Sequence, residues 1–417
     1  MRIASKKSII IIILICLIPL FLGGCWNRRE VQDISINTGM GFDRIIYNGQ
    51  PGYRVSILAS LPAKPSGSSV MGTGAPSKGN EQQIVVSLEG KTVYDAVRNW
   101  NDRIPRQLFL SHVQVFVIGE SLARDGIKEV MDFCMRHRGL RMRTWVVVAN
   151  GSALDALQIR PEMENTSADE EAKLIAKGSG RNSKVVKTDL RQVLYDLVTP
   201  GKESVMPHLK PIIPPEGLTA KNVSSGSSGD KASTENKTLK KVVNFEGSAV
   251  FKGDRLTGWL SPLETQGLLI LTGKADEGVI PVKFKSSTTN VSYVFRKNKS
   301  KIKPVIDGNR IRFEITLHGN GDLLEDGELK LDKTDYDVIT KRVNREIERR
   351  CYLSIKKIQA LNSDIMGLGN IVHRTQPEVW RQVGEQWDDI FPTIEVTVKA
   401  SSIIEQNGMQ TEAIKIR

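Results

Sequence analysis

The chain has 417 residues, 40% hydrophobic and 25% charged, a balance that excludes both a disordered polymer and a polytopic membrane protein. Lys and Arg total 59 against 47 Asp and Glu, a net charge of +12. At roughly 150 residues per domain the length accommodates two or three domains, each with its own core.

The amino terminus sets the expected compartment. Arg2, Lys6 and Lys7 precede an unbroken apolar run from Ile9 to Leu22. A spanning helix needs about twenty such residues, so this run reads as a signal-peptide core behind a basic n-region. Leu22-Gly23-Gly24-Cys25 follows, with a large aliphatic residue three before Cys and a small one just before it. That is a bacterial lipobox, and the Cys25 thiol is the atom expected to carry diacylglycerol. Residues 1–24 are thus expected to be removed, and residues 25–417 to form a body tethered outside the cytoplasmic membrane by its acyl chains. No other segment is long and apolar enough to span a bilayer. Three of the twelve excess charges leave with the signal. The remaining +9 is read as compatible with anionic lipid and wall polymer, and nucleic acid is not expected as a partner. The densest basic clusters are Arg136, Arg138, Arg141 and Arg143, and Arg296 and Lys297 with Lys299, Lys301 and Lys303. Cys16 leaves with the signal, and Cys134 and Cys351 lie in helical patterns, so two separate buried thiols are expected.

Two low-complexity stretches interrupt the body. Pro62 to Asn80 holds eleven Pro, Gly or Ser among nineteen residues, and Glu216 to Thr238 is rich in Ser, Gly, Lys, Asn and Thr. Neither can bury enough apolar surface to offset ordering entropy, so loops 62–80 and 216–238 are expected to be mobile.

In the first region Tyr53, Val55, Ile57, Ala59 and Leu61 alternate as in a half-buried strand, and Ile84–Leu88, Val113–Ile118 and Thr144–Ala149 predict further strands. Val93, Val97, Trp100 and Ile104 predict one helix, and Leu122, Ile127, Val130, Met131 and Cys134 a second. Helices are predicted over 153–159, 168–176 and 190–197, followed by a Pro-rich crossing through Pro207 and Pro211. Beyond it come a strand over 241–251, a Gly-Asp turn and a helix over 262–271. In the last region Val291, Tyr293 and Phe295, then Ile311, Phe313, Ile315 and Leu317, then Ile394, Val396, Val398 and Ala400 alternate as antiparallel strands with one buried face. Ile339, Val343, Ile347, Cys351, Ile355 and Ile358 predict a long helix between the second and third. Asp364 is placed to cap a shorter helix, and Pro377 to start another with Trp380 and Trp387 inward. The fold class is α+β: three consecutive mixed domains, each a sheet with packed helices, divided as 25–152, 153–278 and 279–417.

Catalytic signatures fail on inspection. Gly90-Lys91-Thr92 lacks the leading glycine of a P-loop and is read as opening a helix. Gly39-Met40-Gly41 and Gly367-Leu368-Gly369 lack a third glycine and are read as turns. None of His112, His137, His208, His318 and His373 sits at metal-ligand spacing. Ser111 and His112, adjacent on a predicted strand, point to opposite faces. Glu170-Glu171, Glu325-Asp326 and Asp388-Asp389 are read as solvated charge. Neither an enzyme nor a cofactor or metal site is expected.

Several segments in order resemble one family. Gly24-Cys25-Trp26-Asn27-Arg28-Arg29-Glu30 is similar to the mature start of the Ger(x)C lipoproteins, the C subunits of spore germinant receptors. Ser111-His112-Val113-Gln114-Val115 resembles that family's Ser-His-x-Gln-Val segment, and Thr144-Trp145-Val146 its Thr-Trp-Val. Glu246 to Phe251, Gly258-Trp259-Leu260, Glu264 to Gly267, and Asp364 to Gly369 with Trp380 resemble its later motifs, so the likeness covers almost all of 22–417. The resemblance implies a lipoprotein on the outer face of the spore inner membrane, assembled with integral A and B subunits into a nutrient receptor. Trp26, Arg28, Arg29, Arg136, Arg138, Arg141 and Arg143 are the candidate contacts to partners or lipid. The alternative is a lipid-anchored solute-binding protein serving a permease, which calls for two like-sized α/β lobes. A wall hydrolase calls for a carboxylate dyad or metal triad that the residues do not present.

Overall fold

The structure, a computed structural model of the full chain, describes residues 33–61, 82–159, 166–178, 182–213, 241–284, 290–308, 310–325 and 333–407. Both expected loops, 62–80 and 216–238, and the expected lipobox with Trp26, Arg28 and Arg29 lie outside the described residues.

Two sheets organise the chain. The larger has nine strands in the order β3-β2-β1-β5-β6-β7-β8-β9, with the short β4 against β1. They are β1 (Ile34–Tyr47), β2 (Gln50–Leu61), β3 (Gln82–Gly90), β4 (Gln107–Phe109), β5 (Val115–Gly119), β6 (Trp145–Ala149), β7 (Val205–Leu209), β8 (Phe245–Lys252) and β9 (Arg255–Leu260). Strands β1, β5, β6 and β7 are parallel, and antiparallel hairpins close both ends. The parallel centre is covered on both faces, which is why Val115–Gly119 is buried at every position. One face packs Met40, Phe42, Phe116, Ile118, Val146 and Val148, and the other packs Leu58, Val115, Val117, Val147 and Ala149.

The helices over this sheet are α1 (Val93–Arg98), α2 (Trp100–Arg103), α3 (Glu120–Asp125), α4 (Lys128–Arg136), α5 (Ala153–Leu157), α6 (Ser167–Lys173) and α7 (Leu190–Val198). Thr92 caps α1 through its hydroxyl, which accepts from Asp95 N at 3.1 Å, so Gly90-Lys91-Thr92 does open a helix. The single helix predicted across 122–134 is two, because Gly126 sits at φ 138° and ends α3.

The smaller sheet runs β10 (Gly278–Lys283), β11 (Asn290–Asp307), β12 (Arg310–Glu325) and β13 (Glu395–Asn407). Helices α8 (Pro262–Leu271) and α9 (Lys333–Ala360) share one core with its inner face, where Tyr293, Phe313, Ile315, Val343 and Cys351 meet. Ser261 and Glu264 form a capping box at the start of α8. The short helices α10 (Leu368–Thr375), α11 (Pro377–Val383) and α12 (Trp387–Ile390) complete the region. Strands β10 to β12 are antiparallel as expected, but β13 joins β12 in parallel. The helical connection from 333 to 393 returns the chain to the end of the sheet where β12 began, which a hairpin cannot do.

Four local readings are corrected. Gly39 and Gly41 are not turns but interior positions of β1, where helices approach too closely for a side chain. The Pro-rich crossing contains a strand, β7, whose ladder shifts register between Pro207 and Leu209 to accommodate the missing N–H. Ser111 and His112 lie in a turn rather than on a strand. Glu171, read as solvated, is fully buried within α6. The expected boundary at 152 falls between β6 and the strands that extend its sheet, and 278 is the first residue of β10.

Candidate functional site

The motif segments meet at two joints and one recess. At the first joint, Asp43 at the end of the β1 core reaches the start of α5. Its carboxylate accepts from Ala153 N at 2.7 Å, Leu154 N at 3.1 Å and the Ser152 hydroxyl at 3.2 Å. Burial pushes the Asp43 carboxyl up and these hydrogen bonds oppose the shift. A Cβ on Gly119 would lie 2.0 Å from Asp43 Oδ1, so the carboxylate occupies the space that glycine leaves.

The second joint ties the two sheets together. Asp364 is fully buried, and its Oδ1 accepts from Gly367 N at 2.8 Å and Leu368 N at 2.9 Å. Its Oδ2 accepts from Gly369 N at 2.7 Å and from the Trp387 indole at 3.1 Å. Burial lifts the Asp364 carboxyl to about 6 against those four donors. The predicted cap is therefore real, though it acts through a left-handed Gly367 that stands between Asp364 and α10. A Cβ on Gly369 would lie 2.7 Å from the Trp387 ring and 2.8 Å from Gly201 Cα. Glu203 N donates to Asp364 O at 3.0 Å, and Ser363 donates its hydroxyl to Phe251 O, so this loop joins both sheets. Nearby, His208 stacks on Trp259 at 3.8 Å, and Arg350, only 4% exposed, holds Gln266 Oε1 and Glu346 Oε1.

The recess lies on the surface, and it is where the Ser-His-x-Gln-Val and Thr-Trp-Val segments converge. Trp145 N donates to Gln114 O at 2.9 Å, and the buried Thr144 hydroxyl donates to Val113 O at 3.1 Å. Val113 and Val115 point into the core, Trp145 is half-buried, and His112 and Gln114 are exposed. The Gln114 amide donates to Asp169 on α6. Arg141 and Arg143 complete the rim of this recess, about 430 Å³ in volume, with Ile36 and Thr38 of β1 below them.

The four arginines are all exposed, yet they divide between two surfaces. Arg136 and Arg138 face a broader groove of about 1020 Å³ shared with Arg44, Tyr53, Tyr94 and Lys128. Arg136 is held by Asp132 at 2.8 Å, and Arg44 lies over the Tyr53 ring at 4.7 Å. His137 borders the same groove with its pKa lowered by burial, and its Nδ1 accepts from Gly139 N. Asp43 and Glu171 are polar groups the sequence patterns did not single out as buried. The spacing of Asp43 from Ser152 across 109 residues left no local signal. Cys134 and Cys351 are both buried and free, in different cores. Among the described residues no cluster of His, Cys, Asp or Glu is arranged to hold a metal ion, and no helix is long and apolar enough to cross a membrane.

Fold and site together define an α+β protein of two packed sheets whose buried polar groups serve joints and whose arginines border open recesses. Residues 27–211 match the family model described as the spore germination protein N-terminal domain, and residues 246–408 match that of spore germination B3/GerAC-like, C-terminal. The chain belongs to this family of spore germination proteins. Spore germination protein KC of Bacillus subtilis is 26% identical over 98% of both chains. Spore germination protein B3 of the same organism is 24% identical over 94% of both. A crystal structure of the GerBC protein shares the fold, with a TM-score of 0.54 at 20% identity, covering 89% of this chain and 99% of that one.

Proposed function

We propose that this chain is the lipid-anchored, non-catalytic C subunit of a nutrient germinant receptor in the spore inner membrane. The observation that carries the reading is the pair of family matches, which together run from residue 27 to 408 and leave mainly the 212–245 segment between them. The lipobox Leu22-Gly23-Gly24-Cys25 supports acylation at Cys25 and a place on the outer face of the membrane. A body tethered beside integral A and B subunits meets them at raised effective concentration, so modest contacts suffice to bias one receptor conformation. Trp26, Arg28 and Arg29 next to the anchor, and Arg136, Arg138, Arg141 and Arg143 around the two recesses, are the proposed contacts. Three consecutive units, 25–152, 153–278 and 279–417, are proposed within the body, the first two contributing strands to one sheet.

Sheets of nine and four strands oppose the two like-sized lobes that a solute-binding protein calls for. Spores lacking the gene are expected to lose their response to one nutrient or nutrient set while germinating normally with others. An unchanged response to every nutrient tested rejects the receptor reading. Tight, stoichiometric binding of a nutrient by the isolated protein revives the solute-binding one.

A further inference from the structure

Among the described residues no helix packs on the outer face of the four-stranded sheet. Helices α8 and α9 both pack on its inner face, and Asn298 and Ser300 of β11 point that way, donating to the carbonyls of Ile270 and Leu271. After the bulge between Phe295 and Lys297, the outward positions of β11 are Lys297, Lys299, Lys301 and Lys303, all exposed. The register extends the row sideways. Lys301 lies opposite Thr316 of β12, and Thr316 lies opposite Lys399 of β13. Lys297 lies opposite Asn320, and Asn320 opposite Ile403, which is 64% exposed.

Alternate residues on a strand stand about 7 Å apart, so Lys297, Lys299 and Lys301 repel one another. Elsewhere the molecule neutralises such cations: Arg54 with Glu89, Lys210 with Glu246, Arg349 with Glu346. Among the described residues Lys297, Lys299, Lys301 and Lys399 have no ion-pair partner. Glu314, opposite Lys303, and Glu405, which accepts from Asn320, offset part of this charge, and the face keeps a net positive field with an exposed aliphatic residue in its margin. That pairing of ammonium groups with a protruding apolar side chain suits the headgroup layer of an anionic bilayer. Among the described residues His318 is the one aromatic ring on the face, too little for a stacking platform for single-stranded nucleic acid.

We propose that this sheet face docks on an anionic lipid surface through Lys297, Lys299, Lys301 and Lys399, with Ile403 entering the headgroup layer. The proposal rests on the lipid-anchor reading in one respect only. The eight Cα–Cα steps from Cys25 to Asp33 span at most about 30 Å, so an acylated chain keeps its body within reach of the bilayer. Docking would then fix how the body stands on the membrane, rather than leaving it to swing on its tether.

The test uses the chain from Trp26 onward, which retains every described residue and carries neither lipid nor apolar leader. It is sedimented with vesicles of phosphatidylcholine alone and of phosphatidylcholine mixed with phosphatidylglycerol. Binding is expected only to the mixed vesicles and is expected to weaken as salt rises. At roughly fivefold per lysine, K297Q/K299Q/K301Q/K399Q together should lower the partition coefficient by more than 100-fold. Replacing the same four by Arg should retain binding, which separates loss of charge from loss of fold, and Ile403→Ser should weaken it severalfold. Equal binding to neutral vesicles, no binding to the mixed ones, or an unchanged partition of the Gln variant overturns the proposal. Arg136, Arg138, Arg141 and Arg143 changed to Gln should leave vesicle binding intact. If that variant alone loses binding, the sheet face is rejected while the receptor reading stands. If spores lacking the gene germinate normally, the receptor reading falls while the vesicle result stands.

Discussion

The indole of Trp387 donates to Asp364 Oδ2 at 3.1 Å inside a carboxylate that also accepts three backbone N–H groups of residues 367–369. One buried charge thereby seats α10, orients α12 and closes the loop that joins the C-terminal sheet to the larger one. Four donors replace the water that burial removes, which is how a fully buried carboxylate is tolerated.

A pH dependence of stability follows from this group. Its pKa is about 6 in the folded chain against an ordinary 3.8. Between those values the folded state holds a proton that the unfolded chain has released. Its stabilising contribution is complete below pH 3.8 and is lost as pH rises through 6, by an amount on the order of 3 kcal/mol. Burial raises Asp43, Glu171 and Glu203 in the same direction, while the arginines around Glu346 lower that group and oppose it. Urea unfolding at pH 5 should give a higher midpoint than at pH 8. Asp364→Asn should flatten that difference, because an amide does not titrate in this range.

Gly39 has no room for a side chain. A Cβ there would stand 2.9 Å from Ala168 Cβ and 3.1 Å from a Leu157 methyl, and one on Gly41 would stand 2.9 Å from another Leu157 methyl. Gly39→Val should destabilise the protein by about 1–3 kcal/mol through overpacking, read as a lower thermal midpoint. Leu157→Ala in the same chain should recover part of that loss.

Arg141 and Arg143 are exposed and make no ion pair among the described residues. Changing both to Glu should shift stability by less than about 0.5 kcal/mol. Pull-down of the proposed integral subunits should nevertheless drop at least tenfold if the recess is a contact. Assembly unchanged by charge reversal of all four arginines removes that surface from the interface.

The thiols of Cys134 and Cys351 are buried and pushed upward by desolvation, so neither is a ready thiolate. Native protein should resist alkylation at both positions over hours, and denatured protein should label at both without added reductant. Labelling of one or both only after reduction would instead show a disulfide.

Much of the fold was legible from periodicity. Strict alternation marked β2, β11 and β12, and the three- and four-residue spacing of Ile339 to Ile358 marked α9, because each buries one face against a single partner layer. Strand β1 escaped because its glycines read as turns. Their role depends on Leu157 and Ala168, more than a hundred residues away. Strand β7 escaped because Pro207 is a breaker by local rules and is tolerated here by a register shift. Glu171 read as surface charge beside Glu170, and its burial depends on which face of α6 meets the sheet.

The expectation of a signal core and lipobox, the buried free cysteines, most element types and the two separate basic clusters belong to the sequence by itself, since each rests on neighbours within a few residues. Tertiary structure decided the rest. It merged strands from both sides of residue 152 into one sheet, set β13 parallel to β12, and split the four arginines between two recesses. It also aligned the lysines of β11 with Lys399 across β12. Those outcomes depend on register and on which layers cover which faces, and packing settles both only when the whole chain is folded.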